Sequence, residues 1–244
     1  AEGQENIINL LRCAWAGSQK YGALVWSGDI KSSFPSMKNQ VAAGLNMGIA
    51  GIPWWTTDIG GFFGANINDP EFLELLVRWF EYGCFCPVMR LHGYRWPLQP
   101  QYGTTGGATC VSGAPNEVWS YTDQVCEILS DYLRLRERML PYITELMEEA
   151  HEKGTPVMRP LFYDFPEDKE SWNVETEYMF GPKVLVKPIT DADARETDVY
   201  LPGGASWTNA WTGETFEGGQ KVHVAAPIEQ IPLFTRDGYK LPMK

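Results

Sequence analysis

The sequence predicts an α/β chain built on a parallel sheet, followed by a small antiparallel β domain. Three observations carry that prediction. Up to about residue 155, short apolar runs alternate with longer segments of helical periodicity, the pattern of successive βα units. Gly154-Thr155-Pro156 then closes the last helical segment with a Gly-then-Pro terminator. Beyond it helical spacing disappears, and strand-like pieces are separated by Gly-rich turns. The chain divides on this basis into residues 1–155 and 156–244.

Taken in order, four strands are expected at 7–15 (IINLLRCAW), 23–26 (ALVW), 50–55 (AGIPWW) and 86–91 (CPVMRL), each ending in a turn-rich or charged segment. Between them 36–47 and 70–82 have apolar positions three and four residues apart, with Leu73, Leu76, Val77 and Phe80 forming one stripe, so they read as crossover helices. A third and longer helix is expected from about 116 to 153, carrying Val118, Tyr121, Val125, Leu129, Tyr132, Met139, Ile143 and Met147. In the second part, strands are expected at 183–189, 198–201 and 222–224, with turns at Pro202-Gly203-Gly204 and Glu217-Gly218-Gly219. Trp207, Trp211 and Phe216 there read first as a hydrophobic seam between sheets, and second as carbohydrate contacts.

Composition narrows the function. The 244 residues are 44% hydrophobic and 21% charged, and no apolar run approaches the length of a membrane span, so a soluble globular chain without a membrane segment is expected. Twenty basic against 31 acidic residues leave a net charge of −11 with no basic cluster, which repels a polyanion and argues against nucleic acid. The 10 Trp, 11 Tyr and 11 Phe, set among carboxylates, suit neutral polyhydroxylated ligands such as sugars. Cys13, Cys84, Cys86, Cys110 and Cys126 are odd in number and widely spread, and read as reduced thiols of a cytoplasmic protein. His92, His151 and His223 lie far apart with no HExxH, so neither a metal nor any other cofactor is expected. Residues 1–6 lack the basic start and apolar stretch of a signal peptide.

In a parallel α/β arrangement ligands bind at the carboxyl ends of the strands. Those ends carry Arg12, then Trp26-Ser27-Gly28-Asp29, then Thr56-Thr57-Asp58-Ile59-Gly60-Gly61-Phe62, then Arg90-Leu91-His92-Gly93. Each has a plainer reading: Asp29 and Asp58 as turn residues, Arg12 and Arg90 as ion-pair partners, His92 as a hydrogen-bonded core residue, Trp26 and Phe62 as packing. Their coincidence at consecutive strand ends favours a sugar pocket. Glycosidic cleavage needs one carboxyl group to protonate the leaving oxygen and another to attack or to activate water, while carboxylate and imidazole groups hold vicinal hydroxyls.

The same residues carry a resemblance. Arg12-Cys13-Ala14-Trp15-Ala16-Gly17-Ser18-Gln19, Trp26-Ser27-Gly28-Asp29, Gly51-Ile52-Pro53-Trp54-Trp55-Thr56-Thr57-Asp58-Ile59-Gly60-Gly61-Phe62, Arg78-Trp79-Phe80 and Arg90-Leu91-His92-Gly93 follow one another in an order similar to family 31 of the glycoside hydrolases. Leu135-Arg136-Glu137-Arg138-Met139-Leu140-Pro141-Tyr142 and Met158-Arg159-Pro160-Leu161 extend the likeness over nearly the whole chain. The resemblance implies the C-terminal half of a (β/α)8 TIM barrel followed by a small antiparallel β-sandwich domain. It also implies a retaining, exo-acting α-glycosidase that uses two aspartates and no metal. By motif position Asp29 matches the general acid/base, Arg12 and Trp26 the residues flanking it, Asp58 and His92 groups that bind the non-reducing-end sugar, and Phe62 a pocket wall. Trp55-Thr56-Thr57-Asp58, with no glycine two before the aspartate, resembles α-xylosidase members more than α-glucosidases.

One departure is large. The nucleophilic aspartate of that family lies at the end of an earlier barrel strand, and this chain starts around the fifth. No other aspartate takes its place: Asp69 opens a helix, Asp123 and Asp131 lie on the long helix, and Asp164 and Asp168 fall past the barrel. The expectation is therefore a chain inactive by itself, needing a missing N-terminal barrel half or an oligomeric partner to cover its open sheet edges. A non-catalytic sugar-binding module is the alternative from a different class.

Overall fold

The computed structural model describes residues 7–99 and 113–243. Its first part holds β1 (Asn9–Leu11), β2 (Ala23–Trp26), α1 (Phe34–Ile49), β3 (Trp55–Thr56), β4 (Ala65–Asn66), α2 (Pro70–Cys84), β5 (Arg95–Trp96), α3 (Asp123–Arg138) and α4 (Leu140–Lys153). β1, β2 and β3 form a parallel sheet in that order, with Leu11 beside Val25 and Trp26 beside Thr56. The helices begin where local chemistry starts them. Ser33 caps α1 through its hydroxyl on the Ser36 N–H (3.3 Å), Asp69 caps α2 on Glu71 N–H (3.1 Å) and Thr122 caps α3 on Val125 N–H (3.3 Å), while Pro35 and Pro70 occupy first-turn positions that need no donor.

Four expectations are corrected. The strand expected at 7–15 is paired only over Asn9–Leu11, and that at 50–55 only over Trp55–Thr56. Residues 86–91 form no strand: they run alongside β3 with Val88 N–H on the Trp55 carbonyl (3.1 Å) and a single parallel bridge from Ile59 to Leu91. In each case the apolar run outlasts the hydrogen-bond ladder, because residues facing a core need not be paired. The long helix of 116–153 is two helices. Pro141 has no N–H to donate and would crowd the Glu137 carbonyl, so the chain breaks at Met139 and restarts as α4.

The second part contains β6 (Met158–Pro160), α5 (Leu161–Asp164), β7 (Tyr178–Phe180), β8 (Val184–Val186), β9 (Glu196–Leu201), β10 (Ser206–Asn209), β11 (Thr215–Glu217), β12 (Gln220–Ala225) and β13 (Leu233–Arg236). An antiparallel sheet in the order β11-β10-β13-β8-β7-β6 faces a β9-β12 ribbon. Met179, Leu185, Trp207 and Phe234 of the sheet meet Val199, Leu201 and Val222 of the ribbon in one cluster. Trp207 is fully buried and Phe216 packs on Phe234 (ring centroids 6.0 Å apart), as a seam requires. Trp211 is partly exposed and donates its indole N–H to the Ile231 carbonyl (2.7 Å).

A second cluster runs unbroken from Val25, Val41 and Leu76 through Leu129 and Tyr142 to Phe180, Val186 and Leu233, so the two parts share one core. Polar ties cross the same junction. Tyr178 donates to the Phe85 carbonyl (3.0 Å), and Arg78, wholly buried beside Glu81, donates to the carbonyls of Ala194 (2.9 Å), Ala226 (2.7 Å) and Pro227 (3.0 Å). Cys13, Cys84, Cys86 and Cys126 are free thiols, and Cys110 lies outside the described residues. No helix among the described residues is long and apolar enough to cross a membrane.

Candidate active site

The carboxyl ends of β1, β2 and β3 open into loops that are themselves laced by backbone hydrogen bonds. Phe62 N–H reaches the Ile30 carbonyl (2.7 Å), Ser32 N–H the Phe63 carbonyl (2.8 Å), Tyr94 N–H the Phe62 carbonyl (2.6 Å) and Ile67 N–H the Trp96 carbonyl (3.0 Å), while β4 and β5 pair in parallel. The parallel order of the sheet thus continues into the loop layer. Ser27 adds a link, accepting the Asp58 N–H (3.3 Å) on its hydroxyl.

Arg12, just past β1, donates through Nη2 to Oδ2 of Asp29, just past β2, at 2.8 Å. Both are exposed, with 63% and 43% of their side-chain surface open to solvent. The bond takes one carboxyl oxygen and leaves Oδ1 without a hydrogen-bond partner among the described residues. Trp26, half-buried, is the last residue of β2.

Asp58, two residues past β3, has a side chain with no exposed surface. Its Oδ1 accepts a hydrogen bond from Arg90 Nη1, whereas its Oδ2 is buried and partnerless among the described residues. A buried acceptor left unmade costs about 1–3 kcal/mol. Burial raises the Asp58 pKa above the usual aspartate range. Arg90 and His92 oppose that shift, and Asp29 adds to it. His92 is exposed, and Phe62, half-buried, stacks on it with ring centroids 5.6 Å apart and planes 29° apart.

The structure thus groups Arg12 with Asp29, Asp58 with Arg90, and Phe62 with His92 on one rim. Arg90, whose ion-pair reading is borne out in its contact with Asp58, brings charge to the same site. Three supporting residues escape sequence reasoning. Trp79 donates its indole N–H to the Thr57 hydroxyl (2.9 Å), both side chains being buried. Arg136 gathers the carbonyls of Cys84, Cys86 and Pro87 (2.7, 2.7 and 2.8 Å), fixing the segment that leads to Arg90. Arg95 holds the turn after Asp58. Trp79 and Arg136 stand in segments that carry the resemblance, but what all three do rests on neighbours distant in sequence or on bare carbonyls, which spacing does not reveal. Thr56 is wholly buried, its hydroxyl toward the Thr57 carbonyl (3.5 Å).

Two cavities lie away from this rim. One of about 370 Å³ sits between α3 and Trp211, Gln230 and Met243, and one of about 1240 Å³ sits at the opposite, amino ends of the strands beside Ile8, Tyr21, Trp54 and Met147. Placement at the strand carboxyl ends, and not cavity size, marks the candidate site. Among the described residues no set of three His, Cys, Asp or Glu side chains converges as metal ligands.

A parallel sheet with acidic, basic and aromatic side chains collected at the carboxyl ends of its strands defines the class of α/β proteins that bind ligands at that end, to which (β/α) barrels belong. The profile described as the glycosyl hydrolases family 31 TIM-barrel domain matches residues 1–146, and that of the family 31 C-terminal domain matches 154–241. The chain belongs to glycoside hydrolase family 31. An alpha-xylosidase of Saccharolobus solfataricus is 39% identical over 247 residues, covering 99% of this chain and 31% of its own length. Alpha-glucosidase 2 of Bacillus thermoamyloliquefaciens is 34% identical over 244 residues, covering 97% of this chain and 28% of its own length. The crystal structure of a family 31 alpha-xylosidase from a soil metagenome, complexed with xylose, superposes with a TM-score of 0.94 at 55% identity, over 98% of this chain and 36% of that one. The chain spans about a third of the length of these relatives.

Proposed function

We propose that residues 1–155 are the C-terminal half of a (β/α)8 barrel, and 156–244 the β domain that follows it, in a retaining exo-acting α-glycosidase that removes terminal α-linked xylose in preference to glucose. Asp29 is the general acid/base, Arg12 and Trp26 flank it, Asp58 and His92 hold the non-reducing-end sugar, and Phe62 walls the pocket. The nucleophilic carboxylate comes from outside residues 1–244, about 5 to 5.5 Å from the Asp29 carboxyl across the bond. In the first step that carboxylate attacks C1, the C1–O bond breaks, and the Asp29 proton passes to the departing oxygen. In the second, Asp29 as carboxylate takes a proton from water while the water oxygen attacks C1 and frees the nucleophile.

The observation that carries this reading is the pairing of functions on one rim. Asp29 is solvent-reachable with one carboxyl oxygen uncommitted, beside a buried Asp58 whose Oδ2 has no partner among the described residues. The first suits a group that exchanges protons and the second a group that grips a hydroxyl. The preference for xylose draws support from the likeness to a structure complexed with xylose at 55% identity.

The test uses the full-length protein and aryl α-xylosides and α-glucosides of graded leaving-group basicity. In Asp29→Asn, kcat/KM, which reports the first step, is expected to hold for the most acidic phenols and to fall about 10²–10⁴-fold for the poorest leaving groups, while kcat falls for all of them because the second step loses its base. Wild-type kcat/KM is expected to favour xylosides by about 10-fold or more. A loss of kcat/KM that is uniform across the leaving-group series removes the acid/base role, and equal use of both sugars removes the xylose assignment.

A further inference from the structure

The loops carrying Asp58 and His92 close around a single side chain. Arg95, three residues past His92, is wholly buried. Its Nη1 donates to the Gly61 carbonyl (2.7 Å) and its Nη2 to the Ile59 carbonyl (3.0 Å), with a longer approach of Nη2 to the carbonyl of His92 itself (3.5 Å). Its Nε donates to the Asn116 side chain (3.2 Å), and the ring of Phe72 lies beneath the guanidinium, 5.0 Å from Cζ. The Gly61 N–H returns to the Asp58 carbonyl (2.8 Å), so the clamp sits one turn from the carboxyl that faces the sugar.

The surrounding backbone is moulded to this group. At Gly60 (φ +85°) a Cβ would come 2.9 Å from Nη2, and at Gly93 (φ +156°) a Cβ would run into the guanidinium. Glycine at both positions serves two ends, a left-handed backbone and room for Arg95. No ion pair of Arg95 with a carboxylate occurs among the described residues, and its charge is met there by carbonyl dipoles. Burying a cation in this way costs desolvation, and what it returns is geometry: a rigid planar fork that ties carbonyls of two loops at set angles, which a lysine cannot copy.

We propose that Arg95 is a positioning residue that sets the separation of Asp58 and His92, and so the fit of the monosaccharide between them. The inference rests on reading those two residues as sugar-binding groups. Because it acts on the frame of the sugar site, its loss weakens affinity for the free monosaccharide as well as for substrate.

The experiment is done in the full-length protein with Arg95→Lys, Arg95→Ala and Asp58→Asn, reading thermal midpoint, KM, kcat and the inhibition constant of free xylose. Arg95→Lys is expected to fold and to raise KM and the xylose inhibition constant together by about 10-fold or more. Added guanidinium ion is expected to recover part of the lost affinity in Arg95→Ala. A purely structural role would lower the midpoint and the active fraction while leaving KM and the xylose constant unchanged, and that result overturns the proposal. Should neither Arg95 variant fold, Asn116→Leu frees Nε while keeping the side chain, and an unchanged xylose constant there is equally fatal. If Asp58→Asn leaves xylose binding intact, the reading of the sugar site fails. If Asp58→Asn loses it and Arg95→Lys does not, only the role of Arg95 fails.

Discussion

Arg90 holds one oxygen of Asp58 and leaves the other, buried, without a protein partner among the described residues. The guanidinium supplies a counter-charge to the buried carboxyl, and on the function proposed above the free oxygen accepts a sugar hydroxyl. Burial raises the Asp58 pKa, and Arg90 is the strongest influence in the opposite direction.

Arg90→Gln should therefore push the Asp58 pKa further up. If the ionised form binds sugar, the fall of kcat/KM toward acid begins at higher pH in the variant than in the wild type. Paired pH–rate profiles check this, and an acid limb that stays put or moves down argues that Asp58 does not titrate in binding.

Thr57→Val keeps the shape of the side chain and removes the acceptor of the Trp79 indole N–H. With both residues buried, the orphaned donor should cost about 1–3 kcal/mol of stability. Thr57→Ser should recover most of it, and equal denaturation midpoints for wild type and Thr57→Val would refute the bond's contribution.

Glu177 lies buried against β8 and β9, accepting from Lys187 Nζ (3.3 Å) and the Tyr200 N–H (3.0 Å). Burial pushes its carboxyl up to about 7 in spite of those partners. Between the ordinary glutamate value and that figure the folded protein keeps a proton that the unfolded chain has lost, so this group's stabilisation is complete at low pH and drains away as pH rises. Glu177→Gln, which cannot ionise, should gain stability relative to wild type on going from about pH 5 to about pH 8. A difference that runs the other way between the two pH values would contradict the sign.

Residues 1–244 expressed alone should associate or aggregate and show no turnover. Ile8, Leu10, Trp15 and Tyr21 are exposed around β1, and among the described residues β1 is paired on one side only. Light scattering and an aryl α-xyloside assay read the two outcomes, and a dilute monomer with a cooperative melt would count against the half-barrel.

Much of this was legible beforehand where side chains obey a period. The helix expected at 70–82 forms over Pro70–Cys84, because Leu76, Val77 and Phe80 face one core and Asp69-Pro70 supplies a start. The strand expected at 23–26 forms over those same residues. Signals failed where an apolar run continues beyond the ladder, as at Val88 and Met89, which belong to no strand, and where one residue overrode a period, as Pro141 did. The candidate residues Asp29 and Asp58 stand out because turn chemistry follows β2 and β3, whereas His92 is reached through a strand at 86–91 that does not form. Their frame does not stand out: the loop ladder and the reach of Arg95 use backbone carbonyls, to which any sequence contributes alike.

The junction near residue 155 joins two architectures whose interiors are continuous, from Val41 and Leu76 across Tyr142 to Phe180 and Leu233. Evolution or an engineer exchanging the trailing β region between relatives must therefore transplant complementary packing on both sides of the cut. A graft matched only at the peptide bond would leave Phe85, Tyr142 and Arg78 facing strangers.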